Sequence, residues 1–261
     1  MKPVISVIIP AHNEECYVRR CIASIRRAAK QYPGKTEIIV VCNRCTDKTE
    51  EIARRCGAVI VKDSSRCIAK VRNAGIAAAT GQIIVTIDCD NRMTPGTLNE
   101  IYRLLRSGRY IGGGAPIRFE RYSVPLYLND WMCRIGFRLT GLYCGIFWAK
   151  KSTFDAIGGF ADIRAMEDVE TAKRLKAYGK QQGRGYTCLR ENHLINSTRK
   201  FDRDGDWMYF KLLAQHIGTL SKAARGDGKA LDHLLDELFY DYPHDTAAKS
   251  VQSSATRPRR S

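Results

Sequence analysis

Between residues 4 and 88, short apolar, β-branched runs alternate with amphipathic stretches of helical period, and this alternation limits the architecture more than any other feature. "VISVIIP" (4–10), "TEIIVVC" (36–42), "AVIVK" (58–62) and "QIIVTID" (82–88) read as strands. The first is apolar enough to be covered on both faces. Between the strands, 14–32 is a predicted helix with Val18, Ile22 and Ile25 on one face. Asp47-Lys48-Thr49-Glu50 carries capping-box chemistry and opens a helix to about Cys56. A third helix covers 67–80 and is ended by Gly81. This order predicts an α/β fold with a doubly wound, mostly parallel sheet, which binds ligands at the carboxyl ends of its strands.

From Thr94 the pattern changes. "TPGTLNEIYRLLRSG" is a helix with Pro95 near its start, and 109–120 is a predicted strand entered through three glycines. An aromatic-rich helix (about 123–140) and an apolar piece (142–150) follow. Residues 166–180 form an amphipathic helix, with acids first and bases and Gly179 last, as its dipole favours. The stretch 188–207 is polar and predicted to be loop-like, with helices near 206–222 and 228–240. Residues 245–261 have little to bury and are expected to be a disordered basic tail.

The formal net charge of +16, from 43 Lys+Arg against 27 Asp+Glu, attracts polyanions: nucleic acid, anionic lipid headgroups or phosphorylated substrates. No apolar run reaches the ~18 residues of a membrane span. The first apolar run ends at Pro10 and reads as a strand, not a signal peptide, so a cytoplasmic protein is expected. Ten cysteines scattered through predicted strands and helices, without an export signal, are not a disulfide framework. Cys42 and Cys45 form one CxxC without the second pair of a zinc ribbon, and read as small buried or half-buried residues.

The fourth strand stops at Asp88-Cys89-Asp90-Asn91. Residues i and i+2 of a strand face one side, so Asp88 and Asp90 converge on one ligand if the extended geometry persists. The alternative is a strand-end turn in which Asp90 and Asn91 make Asx hydrogen bonds. A divalent cation held by such carboxylates neutralises charge on a departing pyrophosphate.

Taken in order, "PAHNE" (10–14), "CTDKT" (45–49), "VRNAG" (71–75), "DCD" (88–90), "GGF" (158–160) and "ED" (167–168) resemble the family 2 glycosyltransferases of GT-A fold, over roughly residues 3–200. The resemblance implies a Rossmann-like GT-A domain over 1–200, with a nucleotide-binding half (about 1–92), an acceptor half (about 93–200) and a C-terminal helical extension (201–244). It implies an inverting, metal-dependent transfer of a single sugar from a nucleotide-sugar donor to a hydroxyl of a glycan, lipid or small molecule. Pro10, Ala11 and Glu14 look like the donor-nucleotide loop, and Arg72 like a residue reaching the base or the diphosphate. Asp90 would coordinate Mn²⁺ or Mg²⁺, with Asp88 nearer the ribose or a metal-bound water. Asp168 would be the general base that takes the acceptor proton, with Glu167 orienting the acceptor or favouring a helix N-terminus.

Asn43 stands where the family commonly has an Asp that accepts the imino hydrogen of the base. An amide oxygen still accepts that bond, without charge assistance, which leaves the base open. His193 resembles the late metal ligand of some GT-A enzymes, against the simpler reading of a surface-loop histidine, and Arg199, Lys200 and Arg203 nearby are candidates to embrace the diphosphate. The QxxRW signature of processive synthases is absent, so single transfer is expected.

Each residue also has a structural reading. His12 or Asn13 can cap the first helix, Asp47 the second, and Arg72 can be a solvated helix-surface side chain. Glu167 and Asp168 can be ordinary first-turn acids. Trp131, Phe147 and Trp148 either stack on a sugar or fill the core. Two other functions compete. A nucleotidyltransferase would want a glycine-rich basic loop after the first strand, where "PAHNEE" is acidic. A non-catalytic basic module would bind polyanions in a salt-sensitive way without needing these acids. Association with an anionic membrane surface fits the charge, and nucleic acid is the less expected partner.

Overall fold

The apolar runs become strands because β-branched side chains pack well on a pleated surface and both faces are covered here. The computed structural model describes residues 4–163 and 166–215. The first half contains β1 (Ile5–Ala11), α1 (Val18–Gln31), β2 (Thr36–Asn43), α2 (Thr49–Arg55), β3 (Val59–Asp63), α3 (Ile68–Ala78) and β4 (Ile83–Ile87). It continues through β5 (Arg92–Met93), α4 (Thr97–Arg106), β6 (Tyr110–Gly114), β7 (Ile117–Phe119), α5 (Val124–Thr140) and β8 (Ile146–Lys150). Then come α6 (Lys151–Ile157), α7 (Glu167–Gln181), β9 (Gly185–Cys188), β10 (Leu194–Asn196) and α8 (Arg199–Asp204). These elements belong to one compact unit, Met1–Trp207; the second unit, Met208–Ser261, is described only through α9 (Met208–Gln215).

Among the described residues the main sheet has the order β3-β2-β1-β4-β8-β6-β9. Strands β3, β2, β1 and β4 are parallel; β8 runs antiparallel to β4 and β6, and β9 parallel to β6. The expected mostly parallel, doubly wound sheet is therefore present. The two-residue period of β1 divides the core: Ile5, Val7 and Ile9 pack with Ile22 and Ile25 of α1 and Leu98 and Ile101 of α4. Ile8 points the other way, to Val71 of α3, Phe154 of α6 and Leu175 of α7. Each fully buried isoleucine of this kind contributes about 1.5–3 kcal/mol. Helix α3 lies so close on the sheet that a Cβ on Gly75 would meet Ile8 Cγ2 at 2.4 Å.

Two expectations are corrected. The strand predicted over 109–120 is two strands, β6 and β7, broken at Ala115-Pro116, where proline has no N–H for the ladder. β7 instead enters a small second sheet of order β5-β10-β7. The polar stretch 188–207 is thus not simply a loop, since it holds β10 and α8. Leu194 pairs with both Met93 and Ile117, partners remote in sequence that no local pattern reveals. Buried Glu100 reinforces this arrangement by accepting the backbone N–H groups of Arg190, Glu191 and Asn192. Of the helix expected near 206–222, α9 is the described part; the helix near 228–240 and the tail lie outside the described residues.

Candidate active site

The carboxyl ends of β1, β2 and β4 carry the candidate residues. β4 ends at Ile87, and the Asn91 N–H donates to the Asp88 carbonyl at 3.0 Å, closing a turn. The extended geometry of 88–90 therefore does not persist, and the two carboxylates turn to different arginines. Asp88 meets Arg72 Nη2 at 2.9 Å, and Asp90 meets Arg199 Nε at 3.1 Å.

Arg72 is the hub of the first cluster. It projects from α3, its side chain is 6% exposed, and its Nη1 bonds Glu167 at 3.0 Å and Asp168 at 2.9 Å. Burial opposes its charge, but Asp168, Asp88 and Glu167 together raise its pKa, so it is a permanent cation. It is neither a solvated surface side chain nor free in the cleft. Its guanidinium lies 5.2 Å from the Phe160 ring centroid, a cation–π contact. The "GGF" turn makes that contact possible. Asn73 donates to the Phe160 carbonyl at 2.9 Å and accepts the Phe160 N–H at 2.8 Å. Gly159 has φ +67°, and a Cβ there would meet Asn73 Oδ1 at 2.4 Å, so glycine is required.

Asp168 begins α7 as expected, yet it is no ordinary first-turn acid. Burial pushes its carboxyl up to about 6, Arg72 opposes this, and Asp88 and Glu167 add to it. Its side chain keeps 29% of its surface, so the group still opens to solvent. An acid in that range is ionised at neutral pH and retains enough basicity to accept a proton.

Arg199 of α8 is the second hub. It holds Glu14 through two bonds, of 2.8 and 2.9 Å, and lies 5.0 Å from the Tyr17 ring centroid. Burial raises the Asp90 pKa, Arg199 and Lys200 lower it, and Asp88 raises it further. Carboxylate oxygens are the donors a hard divalent cation takes, so Asp90 and Asp88 would hold one, in place of part of their pairing with Arg199 and Arg72. Among the described residues no group of three His, Cys, Asp or Glu is arranged to hold a metal. His193 donates its backbone N–H to Thr94 Oγ1 at 3.2 Å, and burial together with Arg118 and Arg134 lowers its pKa.

The loops after β1 and β2 are sewn together. Asn13 adopts φ 54° and accepts the Thr46 N–H at 2.8 Å, while Nδ1 of His12 donates to the Asn43 carbonyl at 2.7 Å. Neither residue caps α1, whose N-cap is Tyr17 without a side-chain bond. Asp47 accepts the N–H groups of Thr49 (2.9 Å) and Glu15 (3.0 Å), linking both loops. Pro10 and Ala11 are buried in β1 beside Val41 and Cys42, so they contribute backbone and shape. The Asn43 amide donates to Asp63 Oδ1 at 2.6 Å and to the Ser65 carbonyl at 2.7 Å, and its oxygen accepts Arg44 Nε at 3.3 Å, which leaves that oxygen one further lone pair.

Sequence reasoning missed Asp63 and Tyr17. Asp63 closes β3 at the register position of Asn43, a signal visible once the strands are aligned. Phe147 and Trp148 are core residues, the latter donating to the Gly114 carbonyl at 2.9 Å, whereas Trp131 is exposed on α5.

All ten cysteines carry free thiols. The hydrogen bond that Cys42 donates holds Cys45 below the usual thiol range. At neutral pH an alkylating reagent should therefore modify Cys45 before the exposed Cys16 and Cys133. Time-resolved peptide mass mapping checks this, and Cys45→Ser should remove the fastest phase.

Comparisons with known proteins bear on the family and the fold. The family model described as "Glycosyl transferase family 2" matches residues 6–166. The chain is 27% identical over 203 residues to "Probable glycosyltransferase YdaM" of Bacillus subtilis (strain 168), covering 68% of this chain and 47% of that one. It is 33% identical over 95 residues to Glycosyltransferase AglE of Haloferax volcanii, covering 34% of this chain and 31% of the relative. It thus spans less than two thirds of the length of these relatives. Among solved structures, the mannosyltransferase PcManGT from Pyrobaculum calidifontis, in complex with GDP-Man and Mn²⁺, matches at a TM-score of 0.62 and 20% identity, covering 75% of this chain and 57% of that one. Glucosyl-3-phosphoglycerate synthase from Mycobacterium tuberculosis, in complex with Mn²⁺, UDP and glucosyl-3-phosphoglycerate, matches at 0.54 and 22%, covering 78% and 76%. The fold is that of the GT-A glycosyltransferases. With the family model covering well over half of its residues, the chain belongs to glycosyl transferase family 2.

Proposed function

We propose that this chain is an inverting glycosyltransferase that moves one sugar from a nucleotide-sugar donor onto a hydroxyl acceptor. The observation that carries the reading is the gathering of Asp88, Glu167 and Asp168 on one buried guanidinium, beside Asp90 and its arginine. Asp168 takes the acceptor proton as the hydroxyl attacks the anomeric carbon opposite the departing diphosphate. Arg72 positions Asp168 and Glu167 and keeps the base ionised. Asn43 offers its oxygen to the base of the nucleotide, Glu14 and the backbone of Pro10 and Ala11 shape the nucleoside side, and Arg199 and Lys200 supply positive charge beside Asp90. Mn²⁺ or Mg²⁺ would be held by Asp90 with Asp88 assisting and would supply Lewis-acid neutralisation of the diphosphate; His193, whose charged neighbours are Arg118 and Arg134, is not grouped with these acids. GDP-Man and UDP, bound in the two structures of similar fold, support this donor class without choosing the base.

A thermal-shift panel of nucleoside diphosphates and sugar nucleotides, with and without Mn²⁺, tests the proposal. A ligand that binds only the folded state stabilises it by about 2.7 kcal/mol at a hundredfold excess over Kd. The expected result is a Mn²⁺-dependent shift with at least one diphosphate, strongly reduced in Asp90→Ala. An equal shift in the variant would remove Asp90 from the metal site.

The charge of +16 supports peripheral work at an anionic membrane surface, and the first apolar run, a strand and not a signal peptide, supports a cytoplasmic enzyme. Among the described residues no helix is long and apolar enough to cross a membrane.

A further inference from the structure

Helix α5 is built inside out. Its 17 residues place Val124, Tyr127, Leu128, Trp131, Ile135 and Leu139 at the i, i+3, i+4, i+7, i+11 and i+15 positions of one face. A surface helix ordinarily turns such a face to the core. Here it is exposed: Val124 by 79%, Trp131 by 53% and Leu139 by 81%. The buried side holds only Pro125, Leu126 and a carboxylate, Asp130, which accepts the Tyr122 hydroxyl at 3.2 Å and pairs with Arg134 at 2.8 Å. Soluble proteins rarely leave so continuous an apolar stripe in water unless something covers it.

The charges beside the stripe select its cover. Arg138, seven residues after Trp131, lies on the Tyr127 side of the arc itself, and Arg134, more than half exposed although paired with Asp130, lies at the margin on that side. The exposed Arg118 of β7 and Arg134 both lie close enough to His193 to oppose its protonation, so two arginines, one of them paired with Asp130, stand on that flank of the helix. Aromatic and aliphatic residues on one face with arginines along one side match the acyl–headgroup boundary of an anionic bilayer. A second copy docking through the same stripe would bring like charges together.

We propose that α5 is the element that docks this protein on anionic membrane, lying in the interface plane with its apolar stripe among the acyl chains. The inference rests on the membrane part of the functional reading and not on its chemistry.

Flotation of the full chain with phosphatidylcholine vesicles, with or without phosphatidylglycerol, tests it. The wild type should float with the phosphatidylglycerol vesicles, less so at high salt. Ile135→Glu combined with Leu139→Glu should lower the bound fraction at least tenfold while leaving the Mn²⁺-dependent nucleotide shift unchanged. Both side chains point to solvent, and that retained shift also reports an intact fold. Equal flotation of wild type and variant would overturn the role of α5 while leaving a charge-driven membrane association standing. No flotation of the wild type would overturn both. A wild-type dimer in sedimentation that the double variant dissociates, with no vesicle binding, would assign the stripe to a second copy and overturn the proposal. The nucleotide shift decides the transferase reading separately.

Discussion

Asp168→Asn should lower kcat by about 10²–10⁴ while leaving Mn²⁺-dependent donor binding in place. The amide keeps the shape of the carboxylate and can still face Arg72, so the loss reports the missing proton acceptor. Burial, opposed by Arg72, pushes the Asp168 carboxyl up to about 6. The base works only when ionised, so kcat/KM of the wild type should fall as pH drops through that value. The variant has no carboxyl to titrate there, and its residual rate should lack this acid limb. Initial rates across pH, with donor affinity taken from thermal shift, decide the matter. A variant with the wild-type rate would end the assignment of Asp168 as the base.

Arg72→Met should lower stability by about 3–5 kcal/mol, the usual consequence of removing one member of a buried ionic group. Methionine restores most of the packing volume, but Asp88, Glu167 and Asp168 then face one another with no cation among them. Asp168, already pushed up to about 6 by burial, then loses the cation that opposes the rise, so its folded-state pKa climbs further above the unfolded one. Stability linked to a raised carboxyl is fully present below the unfolded pKa and is lost as pH rises through the folded pKa. The deficit of the variant should therefore be larger at neutral pH than in mild acid, as read from urea midpoints at several pH values. A deficit independent of pH would assign the loss to packing on Phe160. Arg72 also lowers the Asp168 pKa, so in the variant the acid limb of the rate profile should move to higher pH. A purely structural role for Arg72 would not move that limb.

The first four strands and three helices were legible because their signals are local: the apolar runs of β1 to β4 and the spacing of Val18, Ile22 and Ile25. Parallel strands align their carboxyl ends, so Pro10, Asn43 and Asp88 were bound to share one edge once the strand order was read. The partners of these residues were less legible. Asp88 and Asp90 were recognised as an acid pair, but the turn that aims them at two different arginines depends on a backbone bond after β4. Arg72 read as a side chain that reaches a ligand, and it lies buried among three carboxylates. Glu14 and Arg199 are 185 residues apart in sequence and make a two-bond pair. The strand β10 was missed because three residues carry no periodicity of their own and are held by β5 and β7.

By itself, then, the sequence determined which segments of the first half, β1 to β4 and α1 to α3, are strands and helices, which strand ends carry acids, and the family, since each depends on periodicity or on motifs a few residues long. Only the tertiary structure decided which charge faces which, that the "GGF" turn seats Phe160 against Arg72, and that the apolar stripe of α5 points outward. Those are choices made by contacts between distant segments: the energy of a buried ion pair or an apolar face depends on what packs against it, and no local pattern of residues contains that information.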